Sequence, residues 1–141
     1  MKKIFIVSNS MWNIDNFRKS LILELLKNNF YVYIIVPFDS NYNTKIKHNN
    51  LEIIYINFKR NSYFSFNDFL FILKLIKYLI KYKPEYVLSY TVKPNLICSF
   101  LSIFYNFKSI CNITGLGTLF LRGSFIKLIT IIFYKISFKR V

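Results

Sequence analysis

Short apolar runs rich in β-branched and aromatic residues alternate along this chain with segments of helical periodicity. The runs are bounded by polar or turn-forming residues, as is typical of strands buried on both faces of a sheet. Alternation of this kind predicts a parallel α/β sheet. The predicted strands are residues 4–7, 31–36, 51–56, 86–89 and 109–112, and the predicted helices are residues 17–27, 66–81, 95–105 and 125–136.

A long helix separates the third strand from the fourth, as it does in Rossmann-like sheets. This layout predicts the strand order 3-2-1-4-5, with helices on both faces of the sheet. The long helix is amphipathic by its spacing. One side carries Phe69, Leu70, Leu73, Ile76 and Ile80, and another carries Lys74, Lys77 and Lys81.

In the predicted order, successive strands extend the sheet to one side of strand one and then, from strand four onward, to its other side. Ligands bind outside the carboxyl ends of the strands at such a switch point. The loops that line it are SNSMWNIDN, after strand one, and YTVKPN, after strand four. We expect Asp15 or Asn16 to cap the helix after the first loop, and Pro94 to take the first position of the helix after the second.

Two cations lie close to these predicted helix starts. Arg18 lies in the first turn of one helix and Lys93 beside the start of the other, where each opposes the helix dipole. One explanation is a shared anionic ligand such as a phosphate, held by Arg18 or Lys93. The other is that both side chains extend into water, where the dipole is screened. The sequence leaves both explanations open.

Other features of the sequence exclude several common kinds of binding site. The loop after strand one contains no glycine, so neither a dinucleotide-binding fingerprint nor a phosphate-binding P-loop is present. Gly115 and Gly117 follow strand five, where they either let the backbone approach a ligand or form a plain turn. No set of residues has metal-ligand spacing, so we expect no metal. Cys98 and Cys111 are expected to be reduced thiols of a cytosolic protein.

The chain is strongly basic, with 20 Lys and Arg against six acidic residues and a net charge of +14. Such a charge attracts phosphates, nucleic acid or anionic lipid headgroups. The compositional bias of an A/T-rich genome is a competing cause of the lysine excess. Nucleic acid is not expected as a partner, because the lysines are spread over several helices rather than interleaved with aromatics on one element.

Three segments, SNSMWNIDNFR, YTVKPN and NITGLGTLF, resemble in order and spacing the N-terminal half of bacterial glycosyltransferases of family 4. The resemblance is to the branch that builds lipid-linked saccharides and surface polysaccharides, and it covers nearly the whole chain. It implies a GT-B enzyme with two Rossmann-like domains. It also implies transfer of a hexose or N-acetylhexosamine from a UDP- or GDP-linked sugar, with no cofactor besides this co-substrate.

The resemblance further implies that residues 1–141 form an incomplete acceptor-side domain. A lipid-linked or saccharide acceptor and an anionic membrane surface are the implied partners, and the implied location is the inner face of the cytoplasmic membrane. The family's two C-terminal glutamates, eight residues apart, are missing, as is the histidine that many members carry after strand five. We therefore expect no activity from this chain alone. It is expected to be a truncated or split gene product, or one piece of a two-chain enzyme whose donor-binding domain is a separate chain.

Eight residues are predicted to contact substrate. They are Asn13, Asn16, Arg18, Lys93, Asn95, Thr114, Gly115 and Gly117. No catalytic residue is identified. The rival hypothesis is a non-catalytic basic α/β module that binds an anionic membrane or nucleic acid by charge, which explains the net charge but not the three motifs in order.

Overall fold

The computed structural model of the chain describes residues 1–42, 44–57 and 66–113, together with Ile131 and Lys135. Five parallel strands form one sheet in the order β3-β2-β1-β4-β5, which confirms the predicted fold and order. The strands are β1 (Lys3–Val7), β2 (Tyr31–Val36), β3 (Leu51–Tyr55), β4 (Tyr86–Tyr90) and β5 (Lys108–Asn112). Apart from Ile131 and Lys135, the predicted helix 125–136 lies outside the described residues, as do Thr114, Gly115 and Gly117.

The central strands β1 and β2 are the most apolar, with sequences KIFIV and YVYIIV. Their β-branched and aromatic side chains fit a pleated surface that is covered on both faces. Phe5 lies opposite Tyr33 on one side and opposite Val87 on the other, and it is fully buried. The sheet is therefore anchored on β1, from which its two halves extend in opposite directions.

Four helices connect the described strands: α1 (Met11–Phe17), α2 (Lys19–Lys27), α3 (Phe66–Tyr82) and α4 (Val92–Leu101). The predicted helix 17–27 is thus preceded by an additional short helix, α1. The prediction that Asp15 or Asn16 caps it was wrong, because both residues lie within α1 and the N-cap position of α2 is Arg18, which makes no side-chain capping hydrogen bond. Ser10 caps α1, accepting a hydrogen bond from the Asn13 N–H at 3.2 Å. Helix α4 begins three residues before the predicted start, so Pro94 occupies its third position rather than its first.

The helices lie on both faces of the sheet, as predicted. On one face, Ile14 of α1 and Ile22 of α2 pack with Ile4 and Ile6 of the sheet. On the other face, side chains from α3 and α4 pack with the alternate residues of the same strands. That second cluster includes Phe5, Val7, Phe71, Leu75, Leu79, Ile97 and Leu101.

The structure corrects the orientation predicted for α3. The helix buries Phe71, Leu75 and Leu79 together with Asp68. The side predicted to be its apolar face points outward instead, and Phe69, Leu70, Leu73 and Ile80 are exposed. Helix α3 is apolar on both sides, so periodicity alone could not identify which side packs on the sheet.

Candidate functional site

The carboxyl ends of β1 and β4 lie side by side at the point where the strand order reverses. The last residue of β1, Val7, is paired with Ser89 of β4. The chain continues from β1 into α1 and from β4 into α4. Helix α4 is in turn tied to β5, because the Asn95 Nδ2 donates to the carbonyl of Asn112 at 3.0 Å. Three strand ends therefore meet at one edge.

Buried polar atoms without partners are concentrated at this edge. Within the described residues, such side-chain atoms all belong to the segments that follow β1 and β4. They are Ser8 Oγ, Asn9 Oδ1, Asn13 Oδ1, Arg18 Nε, Thr91 Oγ1 and Asn95 Oδ1. Ser8 is 0% exposed and Asn95 is 1% exposed. A buried polar group left without a hydrogen bond costs about 1–3 kcal/mol, so this edge has an unused capacity to bind polar groups.

Arg18 connects the two segments. It ends α1 and precedes α2, and its guanidinium carbon lies 4.4 Å from the ring centroid of Tyr90 at the end of β4. A cation over an aromatic face is worth about 0.5–2 kcal/mol. Burial raises the pKa of Tyr90, and the neighbouring Arg18 opposes that rise. Arg18 Nη1 also donates to the Phe17 carbonyl at 3.2 Å, so the guanidinium is held in place at the edge.

Lys93 forms a buried ion pair, which the sequence did not indicate. Its Nζ lies 2.9 and 3.0 Å from the two carboxylate oxygens of Asp68, in the first turn of α3. The side chain of Asp68 is 0% exposed and that of Lys93 is 11% exposed. This carboxylate neutralises the cation that would otherwise oppose the dipole of α4. Contact between Lys93 and a ligand phosphate stays a prediction.

The backbone at Thr91 is strained. This residue links β4 to α4 with φ 74° and ψ 161°, a region that is essentially restricted to glycine. A β-branched side chain at positive φ is a genuine outlier. Such strain costs on the order of 1–3 kcal/mol, and it occurs most often where a site requires an unusual backbone path.

Apart from Lys93, which is paired with Asp68, the predicted site residues separate into three groups. Asn13, Arg18 and Asn95 lie at the carboxyl edge with unused polar atoms. Asn16 lies on α1 but is exposed, and its Nδ2 donates to the Trp12 carbonyl at 2.8 Å. Thr114, Gly115 and Gly117 lie outside the described residues. Ser8, Asn9 and Thr91 were not predicted as site residues, although all three lie in the two loops predicted to line the site.

Two further results concern the described part of the chain. It contains no cluster of three or more His, Cys, Asp or Glu side chains that could hold a metal ion. None of the helices found in it has the length and apolar content needed to cross a membrane.

The fold matches that of solved glycosyltransferase structures. Sucrose-phosphate synthase from Thermosynechococcus elongatus, a GT-B glycosyltransferase, superposes on 97% of this chain with a TM-score of 0.67 and 14% sequence identity. A second structure of that enzyme covers 78% of the chain, with a TM-score of 0.57 and 15% identity. This chain spans 40% and 62% of those two structures, respectively. No protein-family model and no curated protein sequence matches the chain.

The sheet order and these superpositions define the class: a Rossmann-like α/β domain of the kind found in GT-B glycosyltransferases. The chain thus has a fold that is also found in GT-B glycosyltransferases. At 14–15% identity the likeness establishes the fold and does not identify a substrate.

Proposed function

We propose that this chain is the acceptor-side domain of a family 4 glycosyltransferase. The enzyme transfers a hexose or N-acetylhexosamine from a UDP- or GDP-linked sugar to a lipid-linked or saccharide acceptor. The donor is held chiefly by a second domain, and the chain alone does not transfer sugar. Sugar transfer takes place at the cytoplasmic face of a membrane, where lipid-linked acceptors are presented.

One observation carries this proposal: the buried, unpartnered polar atoms gather where β1 and β4 end. That edge is where parallel α/β sheets with a reversal point bind their ligands. The chemical types of these polar atoms also fit a sugar acceptor. The amide oxygens of Asn9, Asn13 and Asn95 accept hydrogen bonds from sugar hydroxyls, and the hydroxyls of Ser8 and Thr91 can donate or accept.

Arg18 supplies the cationic contact. Its Nε–H has no partner among the described residues, while its guanidinium is fixed against Tyr90. A guanidinium held in this way binds phosphate oxygens with little loss of side-chain freedom. We assign it to a diphosphate of the donor or acceptor, where it stabilises the negative charge as the sugar is transferred. Lys93, already paired with Asp68, holds the start of α4 in position beside it.

The rival hypothesis, a basic module that binds by charge alone, does not account for the position of these polar atoms. A charge-driven surface requires lysines and arginines, and it gains nothing from buried amide oxygens at the carboxyl edge of a sheet. The edge instead combines many neutral hydrogen-bonding groups with the guanidinium of Arg18 and with Lys93, whose charge Asp68 neutralises. That combination suits a phosphorylated sugar better than a nucleic acid or a bare membrane.

A binding and turnover experiment tests the proposal. The purified chain is titrated by calorimetry with a water-soluble, short-chain prenyl diphospho-N-acetylglucosamine, and then incubated with radiolabelled UDP- and GDP-sugars. We expect binding without sugar transfer. Asn13→Ala should weaken binding about tenfold, since a lost hydrogen bond is worth about 0.5–1.5 kcal/mol and more beside a charge. Asn41→Ala, at an exposed position in the loop after β2, is the matched control and should bind normally.

Three results would contradict the proposal. Absence of binding at millimolar ligand would remove the acceptor role of this domain. Equal weakening by Asn13→Ala and Asn41→Ala would show that the ligand does not use the carboxyl edge. Robust sugar transfer by the chain alone would overturn the division of labour between two domains.

A further inference from the structure

The outward face of α3 carries a row of exposed apolar side chains. Phe66, Phe69, Leu73 and Ile80 are between 46% and 75% exposed. Their spacing of three, four and seven residues places them along one side of the helix. Soluble domains seldom leave so many large apolar residues exposed on one element without a partner for them.

A row of lysines runs beside the apolar row. Lys74, Lys77 and Lys81 are exposed, and their spacing of three and four residues places them on an adjacent stripe of the same helix. Asp68 is the one acidic residue of α3, and it is buried against Lys93 on the opposite side. The exposed side of α3 is therefore apolar and cationic, with no negative charge.

Positive charge continues past the end of α3. An open cavity of about 450 Å³ lies there, and its lining includes Lys2, Lys3, Lys81 and Lys83. Glu85 lies among them and is paired with Lys2 at 3.1 Å. The cationic surface thus extends from the middle of α3 to the amino-terminal edge of the sheet.

We propose that this face of α3 docks the domain on an anionic lipid bilayer, with the helix lying in the plane of the membrane interface. The apolar row enters the boundary between headgroups and acyl chains, while the lysine row contacts lipid phosphates. The row from Phe66 to Lys81 is about 22 Å long at 1.5 Å per residue, enough to cover several lipids. A second copy of the chain is a poor occupant, because facing lysine rows would repel each other.

Docking in this orientation places the candidate site near the membrane. The first turn of α3 is bound to the first turn of α4 through Asp68 and Lys93, so the docked helix begins beside the carboxyl edge of the sheet. The docking surface itself is independent of the chemistry proposed for that edge. It can be tested whether or not the chain binds a sugar.

Vesicle flotation with matched variants tests the docking surface. The full chain is mixed with neutral phosphatidylcholine vesicles or with vesicles containing 30% phosphatidylglycerol. Lys74→Gln/Lys77→Gln should weaken binding to anionic vesicles about tenfold. Lys45→Gln/Lys47→Gln, which removes the same charge from exposed positions before β3, should change binding less than threefold. Such a difference shows that location, rather than net charge, governs binding.

The apolar row is tested in the same way. Phe66→Ser/Phe69→Ser should abolish the fraction of binding that survives 0.5 M salt. Phe38→Ser/Phe104→Ser, which alters two similarly exposed phenylalanines elsewhere, should leave that fraction intact. Circular dichroism confirms that each variant is folded.

Three outcomes would overturn the proposal. Equal losses in the test and control pairs would remove the role of α3. Equal binding to neutral and anionic vesicles would remove the role of the lysines. A dimer in size-exclusion chromatography that Phe66→Ser/Phe69→Ser dissociates would show that the face binds a protein surface instead.

Discussion

Breaking the ion pair between Asp68 and Lys93 should destabilise the fold unequally, depending on which partner is removed. Lys93→Met keeps the apolar stem but removes the ammonium group that lies 2.9 Å from the carboxylate of Asp68, which is 0% exposed. Removal of one partner from a buried ion pair costs about 3–5 kcal/mol. Asp68→Asn should cost less, about 1–3 kcal/mol, because the Lys93 side chain is 11% exposed and can move its ammonium group toward water.

The double variant shows how strongly the two side chains depend on each other. Asp68→Asn/Lys93→Met contains no unpaired charge, so we expect a loss close to that of Asp68→Asn alone. The coupling energy, which is the sum of the two single losses minus the double loss, should then equal the loss from Lys93→Met, about 3–5 kcal/mol. That value lies at or above the upper end of the range seen for residues in direct contact. Urea unfolding at pH 7, followed by circular dichroism, measures all four free energies of unfolding. Lys74→Met and Asp39→Asn make the same chemical changes at exposed positions and should each stay within about 0.5 kcal/mol of the parent.

Additive losses from the two single substitutions would refute this reasoning, since they would show that the pair does not act as a unit. Lys93→Met with a loss below about 1 kcal/mol would show that Asp68 is not buried against a compensating cation. The reading of the lysine in YTVKPN as a phosphate ligand, which the sequence first indicated, would then be favoured.

Three further predictions concern single residues. Thr91→Gly should be more stable than Thr91→Ala by about 1 kcal/mol, because glycine relieves the backbone strain at φ 74°. At the exposed Asn28, where φ is −83°, the alanine variant should instead be more stable than the glycine variant. The reverse order at either position would contradict the assignment of strain to Thr91. Burial raises the pKa of the Cys98 thiol, so a thiol reagent at pH 8 should label Cys98 only after unfolding, and labelling of the folded chain at Cys98 would show that it is accessible. Burial raises the pKa of Tyr33 to about 12, so the folded state binds more protons than the unfolded state above pH 10, and stability should fall as pH rises from 10 to 12. Urea unfolding across this range should show a shallower fall for Tyr33→Phe, and an unchanged slope would refute it.

The sheet was predictable because its central strands are continuous apolar runs between turn residues. Nothing but a strand buried on both faces suits KIFIV and YVYIIV at their lengths, and the order followed from the long connection before β4. The outward face of α3 was not predictable, because Phe69, Leu73 and Ile80 form as regular a row as Phe71, Leu75 and Leu79. Only packing against the sheet decides between the two rows.

The location of the candidate site was predictable from the sequence, but its side-chain contacts were not. Its place followed from the sheet order, which brings the loops after β1 and β4 together. The partner of Lys93 is 25 residues distant in sequence, and local spacing cannot identify a contact of that kind. The same holds for Arg18 and Tyr90, whose contact depends on how α1 crosses the end of the sheet. The available signal for the first pair was Asp68 itself, the one acidic residue of α3.

Chemical-shift mapping tests most directly the claim that the carboxyl edge binds a phosphorylated sugar. The ¹⁵N-labelled full chain is titrated with short-chain prenyl diphospho-N-acetylglucosamine, and the amide shifts are followed to saturation. We expect the perturbed amides to lie in residues 8–18 and 91–95, which carry the unpartnered polar atoms. Shifts confined to the lysine-lined cavity at the opposite edge, at Lys2, Lys3 and Lys83, would show that the ligand is held by charge alone and would contradict the proposed function.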